Sequence, residues 1–163
     1  MTHPNPYAPP GADVADIKQL DAAPALWNPR AAANWSLLFS PVFGAIVHMK
    51  NWQALGESAQ ADKSRAWAIG CIAFFIVVAL LGGFLPESKG LDAISRALAI
   101  ALLITWYYAS GKSQQVHVEA KFGKTYPRRG WLKPLLFAVL ALMVFILALA
   151  LVGFVVGALT GTA

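Results

Sequence analysis

From Leu135 to Leu159 the chain runs for 25 residues without a charged side chain, and Ala66 to Leu85 repeats the pattern over 20. A helix rises about 1.5 Å per residue and the hydrocarbon layer of a bilayer is about 30 Å thick, so roughly 20 apolar residues suffice to cross it. Both runs meet that length, which makes lipid the solvent for much of this protein. Composition agrees: 58% of the residues are hydrophobic and 13% charged, with a mean hydropathy of +0.56, whereas about a quarter of a soluble domain is charged. A chain of 163 residues has room for one membrane domain and little else.

Four apolar segments are expected, at about 31–47, 66–85, 91–110 and 133–159, within a membrane domain spanning 26–163. The first, AAANWSLLFSPVFGAIV, has 17 residues and holds Asn34, Ser36, Ser40 and Pro41. It is short for a span, and two forms stay open: a kinked crossing, or a broken or re-entrant hairpin in which Pro41 removes a helix hydrogen bond and Gly44 permits a turn. The second segment closes on Gly82, Gly83 and Pro86, a helix stop. The third offers Asp92 as an N-cap, and Arg96, one turn in, can snorkel to the surface. The fourth tolerates Pro134 in its first turn. The predicted fold is therefore an all-α integral membrane helical bundle: three transmembrane helices, a short kinked or re-entrant first segment, and a disordered tail over 1–25. That tail carries four prolines between His3 and Gly11 and no signal-peptide pattern.

Lys and Arg mark the cytoplasmic side of a membrane protein. Lys50, Lys63 and Arg65 fall between the first two segments, and Lys112, Lys121, Lys124, Arg128, Arg129 and Lys133 fall between the last two against the lone acid Glu119. These two connections are assigned to the cytoplasm, and the 86–90 turn and the C-terminus to the other side. Trp35, Trp52, Trp67, Trp106 and Trp131 lie near the same ends and are read as headgroup-level anchors. If the first segment spans, the N-terminus lies outside; if it re-enters, the N-terminus is cytoplasmic, the side that a tail without an export signal before a broken segment favours.

The stretch Trp27-Asn28-Pro29, then Asn34 to Ala45 (NWSLLFSPVFGA), then Asn51 to Gly56 (NWQALG), together with the tail Asn5 to Pro10 (NPYAPP), resembles a pattern in small inner-membrane proteins of Gram-negative bacteria. The resemblance covers roughly the first 56 residues. It implies a multi-pass protein of the bacterial inner, or cytoplasmic, membrane, and it carries over no activity and no functional residue. Read physically, Gly44 allows close packing on a neighbour, and Gly56 is a left-handed helix stop.

Gly153, Gly157 and Gly161 repeat every four residues along one face of the last helix; small residues so spaced let another helix approach closely, either within the chain or in a second copy. Gly70, Ala73 and Gly82 of the second segment are the expected intramolecular partners. The six basic residues from Lys112 to Lys133 are read as a surface for anionic lipid, at about 1 kcal/mol each, and not for nucleic acid. His3, His48 and His117 are scattered, with His48 read as interfacial, and neither metal-ligand spacing nor a nucleophile or phosphate-loop motif occurs. Cys71 is the only cysteine, so no intramolecular disulfide forms. The expectation is a protein without catalytic, cofactor or metal sites. Two functions fit: a subunit, scaffold or immunity-type protein that acts through a protein partner, or an oligomeric channel or small-solute carrier lined by Asn34, Ser36, Ser40 and Thr105.

Overall fold

The computed structural model describes residues 23–85 and 88–160; the tail as far as residue 22 and Gly161 lie outside them. Among the described residues six α-helices follow in order: α1 (Pro29–Phe39), α2 (Pro41–Ala54), α3 (Ser58–Phe84), α4 (Lys89–Trp106), α5 (Lys112–Phe122) and α6 (Leu132–Thr160). A π-helical turn, Tyr107–Gly111, joins α4 to α5 without a break. Among the described residues there is no strand; Leu26 and Arg128 form an isolated bridge. Three stretches are long and apolar enough to cross a membrane: Ser58–Gly82, Lys89–Phe122 and Leu132–Ala158. The protein is an all-α membrane protein.

The first apolar segment is two helices, of 11 and 14 residues, each too short to cross. Asn28 caps α1: its Oδ1 accepts from the backbone N–H groups of Arg30 (3.0 Å) and Ala31 (3.4 Å), with Pro29 at the first helical position. Pro41 ends α1, because it has no N–H to offer the preceding turn and its ring disfavours helical backbone at Ser40. Ser40 instead takes φ 80°, ψ 163°, a region nearly reserved for glycine. The chain then reverses, and α2 packs back along α1 and along α3. Leu26 N–H donates to the Pro127 carbonyl (3.0 Å) and Arg129 N–H to the Leu26 carbonyl (2.9 Å), so the entry to α1 lies beside the chain that leads into α6. The exit from α2 leads directly into α3. Both ends of the hairpin therefore sit at one end of the three spans, as the re-entrant form requires and a kinked crossing does not.

The exit is a Schellman cap. Gly56 has φ +76°, its N–H donates to the Gln53 carbonyl (3.2 Å), and Glu57 N–H donates to the Trp52 carbonyl (3.0 Å). The helix stop expected at Gly56 is thus present, but α3 begins only two residues later, at Ser58. Residues 58–65 and 112–122, expected as loops, are helical. Ala61, Ser64, Ala68 and Cys71 form the buried edge of α3. Their small side chains let α2 lie close, whereas Gly70 and Gly82, expected to pack against the last helix, face open space. At the start of α4 the cap is Ser88, whose Oγ accepts from Leu91 N–H (3.1 Å), and not Asp92.

The π-helical turn has a geometric purpose. Trp106, Ser110, Gln114 and Val118 are all buried and recur every four residues, whereas three turns of α-helix take about 11 residues. A π turn absorbs one extra residue, so about 12 residues complete three turns and the four side chains share one face. That face meets α1 and α2. Trp106, with no exposed surface, lies over Gly44, where a Cβ would collide with its indole and with the Ser36 hydroxyl.

Two substitutions test this arrangement. Gly44→Ala should cost at least about 2 kcal/mol through overpacking, read as a lower unfolding temperature in detergent than that of an exposed control such as Gly70→Ala. Ser40→Gly should instead raise stability by about 1 kcal/mol by relieving the positive φ; equal gains from Ser40→Ala would show that the backbone is not the source.

Candidate functional site

Buried polarity gathers where α2 meets the π turn and α5. His48, Asn51 and Gln114 are fully buried, so each polar atom needs a partner within the protein. Asn51 Nδ2 donates to the Trp27 carbonyl (2.8 Å) and to Gln114 Oε1 (3.1 Å), while its Oδ1 accepts from Trp27 N–H (3.0 Å). Gln114 Nε2 donates to the His48 carbonyl (2.8 Å). The Asn51 amide thus pairs with a backbone unit as a neighbouring strand would. The three residues tie together the entry segment, α2 and α5.

The His48 ring stands 3.3 Å from the Pro29 carbonyl through Nε2. A carbonyl only accepts, so Nε2 carries the proton and Nδ1 is left with its lone pair, buried and without a hydrogen-bond partner among the described residues. Burial lowers the imidazole pKa to about 4, with the Pro29 contact opposing. The ring lies 5.5 Å from the Trp106 indole, between centroids. His48 is therefore a neutral core residue, which corrects its reading as interfacial.

The expected tryptophan anchors separate into two groups. Trp35, Trp67 and Trp131 are half-buried at the margins of the core, whereas Trp52 and Trp106 are buried within it. For these two the expectation of headgroup contact is corrected: Trp52 meets the His117 ring edge-on at 5.0 Å, and Trp106 fills the space over Gly44. Sequence position alone put them near a membrane boundary; the missed signal was that Gly44 opens a seat for an indole.

The six basic residues do not lie in one flexible loop. Lys112 and Lys121 stand on α5, with the ammonium of Lys112 over the Tyr108 ring (5.7 Å) and that of Lys121 over Phe122 (5.5 Å). Gly123, at φ +66°, ends that helix. In the following segment Arg128 lies over Tyr126 (5.6 Å) and Arg129 over Trp27 (4.7 Å), while Lys133 stands in the first turn of α6. Lys124, Tyr126 and Arg128 border a shallow pocket of about 200 Å³ with Asn28, Arg30, Gln115 and Glu119. Arg30 Nη2 is 3.8 Å from Glu119 Oε1. Burial pushes the Tyr126 hydroxyl pKa up, against a smaller opposing effect of Arg128.

Of the expected packing glycines, Gly153 faces open space, Gly157 is half-buried, and Gly161 lies outside the described residues. Among the described residues no three His, Cys, Asp or Glu side chains gather as a metal site would require. Compared with protein-family models, curated proteins and solved structures, the chain matches none.

The buried imidazole gives a pH test. Its folded pKa lies below the ordinary value of 6.5, so the unfolded chain binds the proton first as the pH falls. Its contribution is complete above about pH 6.5 and is lost towards pH 4, a decline of about 3 kcal/mol. Unfolding temperatures measured across that window should fall more steeply for the natural chain than for His48→Gln; parallel slopes would exclude His48 as the source.

Proposed function

We propose that this chain is a non-catalytic multi-pass protein of a bacterial inner membrane that works by binding a protein partner, as a subunit, a scaffold or an immunity-type protein against a membrane-targeting toxin. The observation that carries this reading is the disparity between its two parts. The re-entrant hairpin, the π turn and α5 form a packed, hydrogen-bonded unit. The three spans leave it with only 11%, 6% and 0% of their most apolar windows buried and make few contacts with one another. Within lipid, helix association rests on close packing, and most of the close-packing surface of these spans is unused inside the chain. The chain is suited to hold one end rigidly and offer helices to another protein.

The same geometry weighs against a lined pathway through a single chain. Ser36 Oγ donates to the Ala32 carbonyl (2.9 Å) and Thr105 Oγ1 to the Ala101 carbonyl (2.7 Å), so both hydroxyls turn back on their own helices. Assignment to the inner membrane, with the tail and the basic ends in the cytoplasm, follows the excess of Lys and Arg at that end together with the resemblance in the first segments.

Crosslinking in the native membrane, followed by affinity capture of the tagged chain, mass spectrometry and a native size estimate, tests the reading. A foreign protein recovered in stoichiometric amount is expected. A pure homo-oligomer that passes solutes selectively in proteoliposomes would replace this reading with the channel.

A further inference from the structure

The pocket beside Arg30 joins three stretches that are far apart in sequence: the capped start of α1, one face of α5, and the segment from Gly123 to Arg128. Its walls are held from outside. The Leu26 and Arg128 backbones are paired, Asn28 caps α1, and Arg128 Nη2 donates to the Lys124 carbonyl (3.3 Å) with its guanidinium over Tyr126. Gln115, with its amide oxygen facing the guanidinium, accepts from Arg30 Nη2 and Nε at 2.9 and 3.1 Å. Around one depression stand three cations and one carboxylate. Glu119 is engaged by Arg30, which leaves Lys124 and Arg128 without a carboxylate partner among the described residues.

Cations gathered in this way repel one another unless an anion lies between them. The pocket's size and level indicate which anion. Its volume of about 200 Å³ is below that of sites for drug-sized ligands, about 300–1,000 Å³, and suits a small charged group. Tyr126 and Arg128 precede the first residue of α6, Leu132, by only a few positions, which puts the pocket beside the N-terminal end of that apolar span. An anionic lipid headgroup held at this level would leave its acyl chains to lie against the exposed start of α6, at Leu136 and Phe137.

We propose that Arg30, Lys124, Arg128 and the Tyr126 hydroxyl form a discrete site for the phosphate of an anionic phospholipid headgroup, distinct from a general attraction of all six basic residues to the membrane surface. The guanidiniums and the ammonium meet the phosphate oxygens through charge-assisted hydrogen bonds, and the phenol donates one more. Lys112 and Lys133 take no part. This site stands whether or not the chain binds a protein partner.

Native mass spectrometry of the full chain in detergent, titrated with phosphatidylglycerol or phosphatidylcholine, tests it. The natural chain is expected to retain one phosphatidylglycerol in preference to phosphatidylcholine. The double variant Lys124→Gln, Arg128→Gln should weaken that retention by about tenfold or more, whereas Lys112→Gln, Lys133→Gln, which removes the same charge, should leave retention as it was. Equal weakening by the two double variants would overturn the site in favour of diffuse surface charge. Equal retention of both lipids would overturn the anionic headgroup, and displacement of the lipid by inorganic phosphate at matched concentration would assign the pocket to a free anion.

Discussion

The seating of Trp106 over Gly44 is the contact on which the rest of the structure depends. It brings the end of α4 against α2 at a distance that no side chain larger than a hydrogen permits. Once the indole is in place, the π turn sets the phase of α5, so that Ser110, Gln114 and Val118 also meet the hairpin. A span and a hairpin thereby become one unit, and α3 closes it from the other side with an edge of small residues.

Apolar packing of this kind is permissive about sliding, because one methyl group substitutes readily for another. The hydrogen bonds of Asn51 and Gln114 are not. Each amide has its orientation dictated by the partners it meets, Trp27 and the His48 carbonyl among them, and a slip of one residue would leave several buried polar groups unpaired, at about 1–3 kcal/mol apiece. The cluster therefore specifies register more than it adds net stability. His48 belongs to the same design: the neutral ring is retained because burial opposes its charge.

The two proposals divide between the two ends of the spans. At one end of the spans lie the hairpin, the polar cluster, the aromatic residues Trp27, Tyr126 and Trp131, and most of the basic side chains. Away from that end the helices are almost wholly apolar and little packed on one another. Among the described residues, most of the groups that can recognise by charge and hydrogen bonding stand at the first end, and recognition by shape dominates along the apolar helices. The proposed protein partner within the bilayer and the proposed lipid headgroup at its edge would draw on these two surfaces separately.

The membrane class and the three spans were determined by the sequence itself, since uncharged runs of about 20 residues have one low-energy arrangement in lipid. The break at Pro41, the stop at Gly56 and the close approach at Gly44 were legible for the same local reason: proline and glycine restrict or free the backbone wherever they stand. The first turns of α3 and the whole of α5 were not. Their polar residues form helix only because Ala61, Ser64, Gln114 and Val118 find the hairpin to pack against, and no periodicity announces a face whose phase a π turn resets. Tertiary structure alone decided that Trp106 and Trp52 are core residues and not anchors, that His48 is buried, and that Arg30 joins Lys124 and Arg128 across some 90 residues of chain. Burial and proximity depend on what the fold brings opposite a residue, which its own neighbours in sequence do not encode.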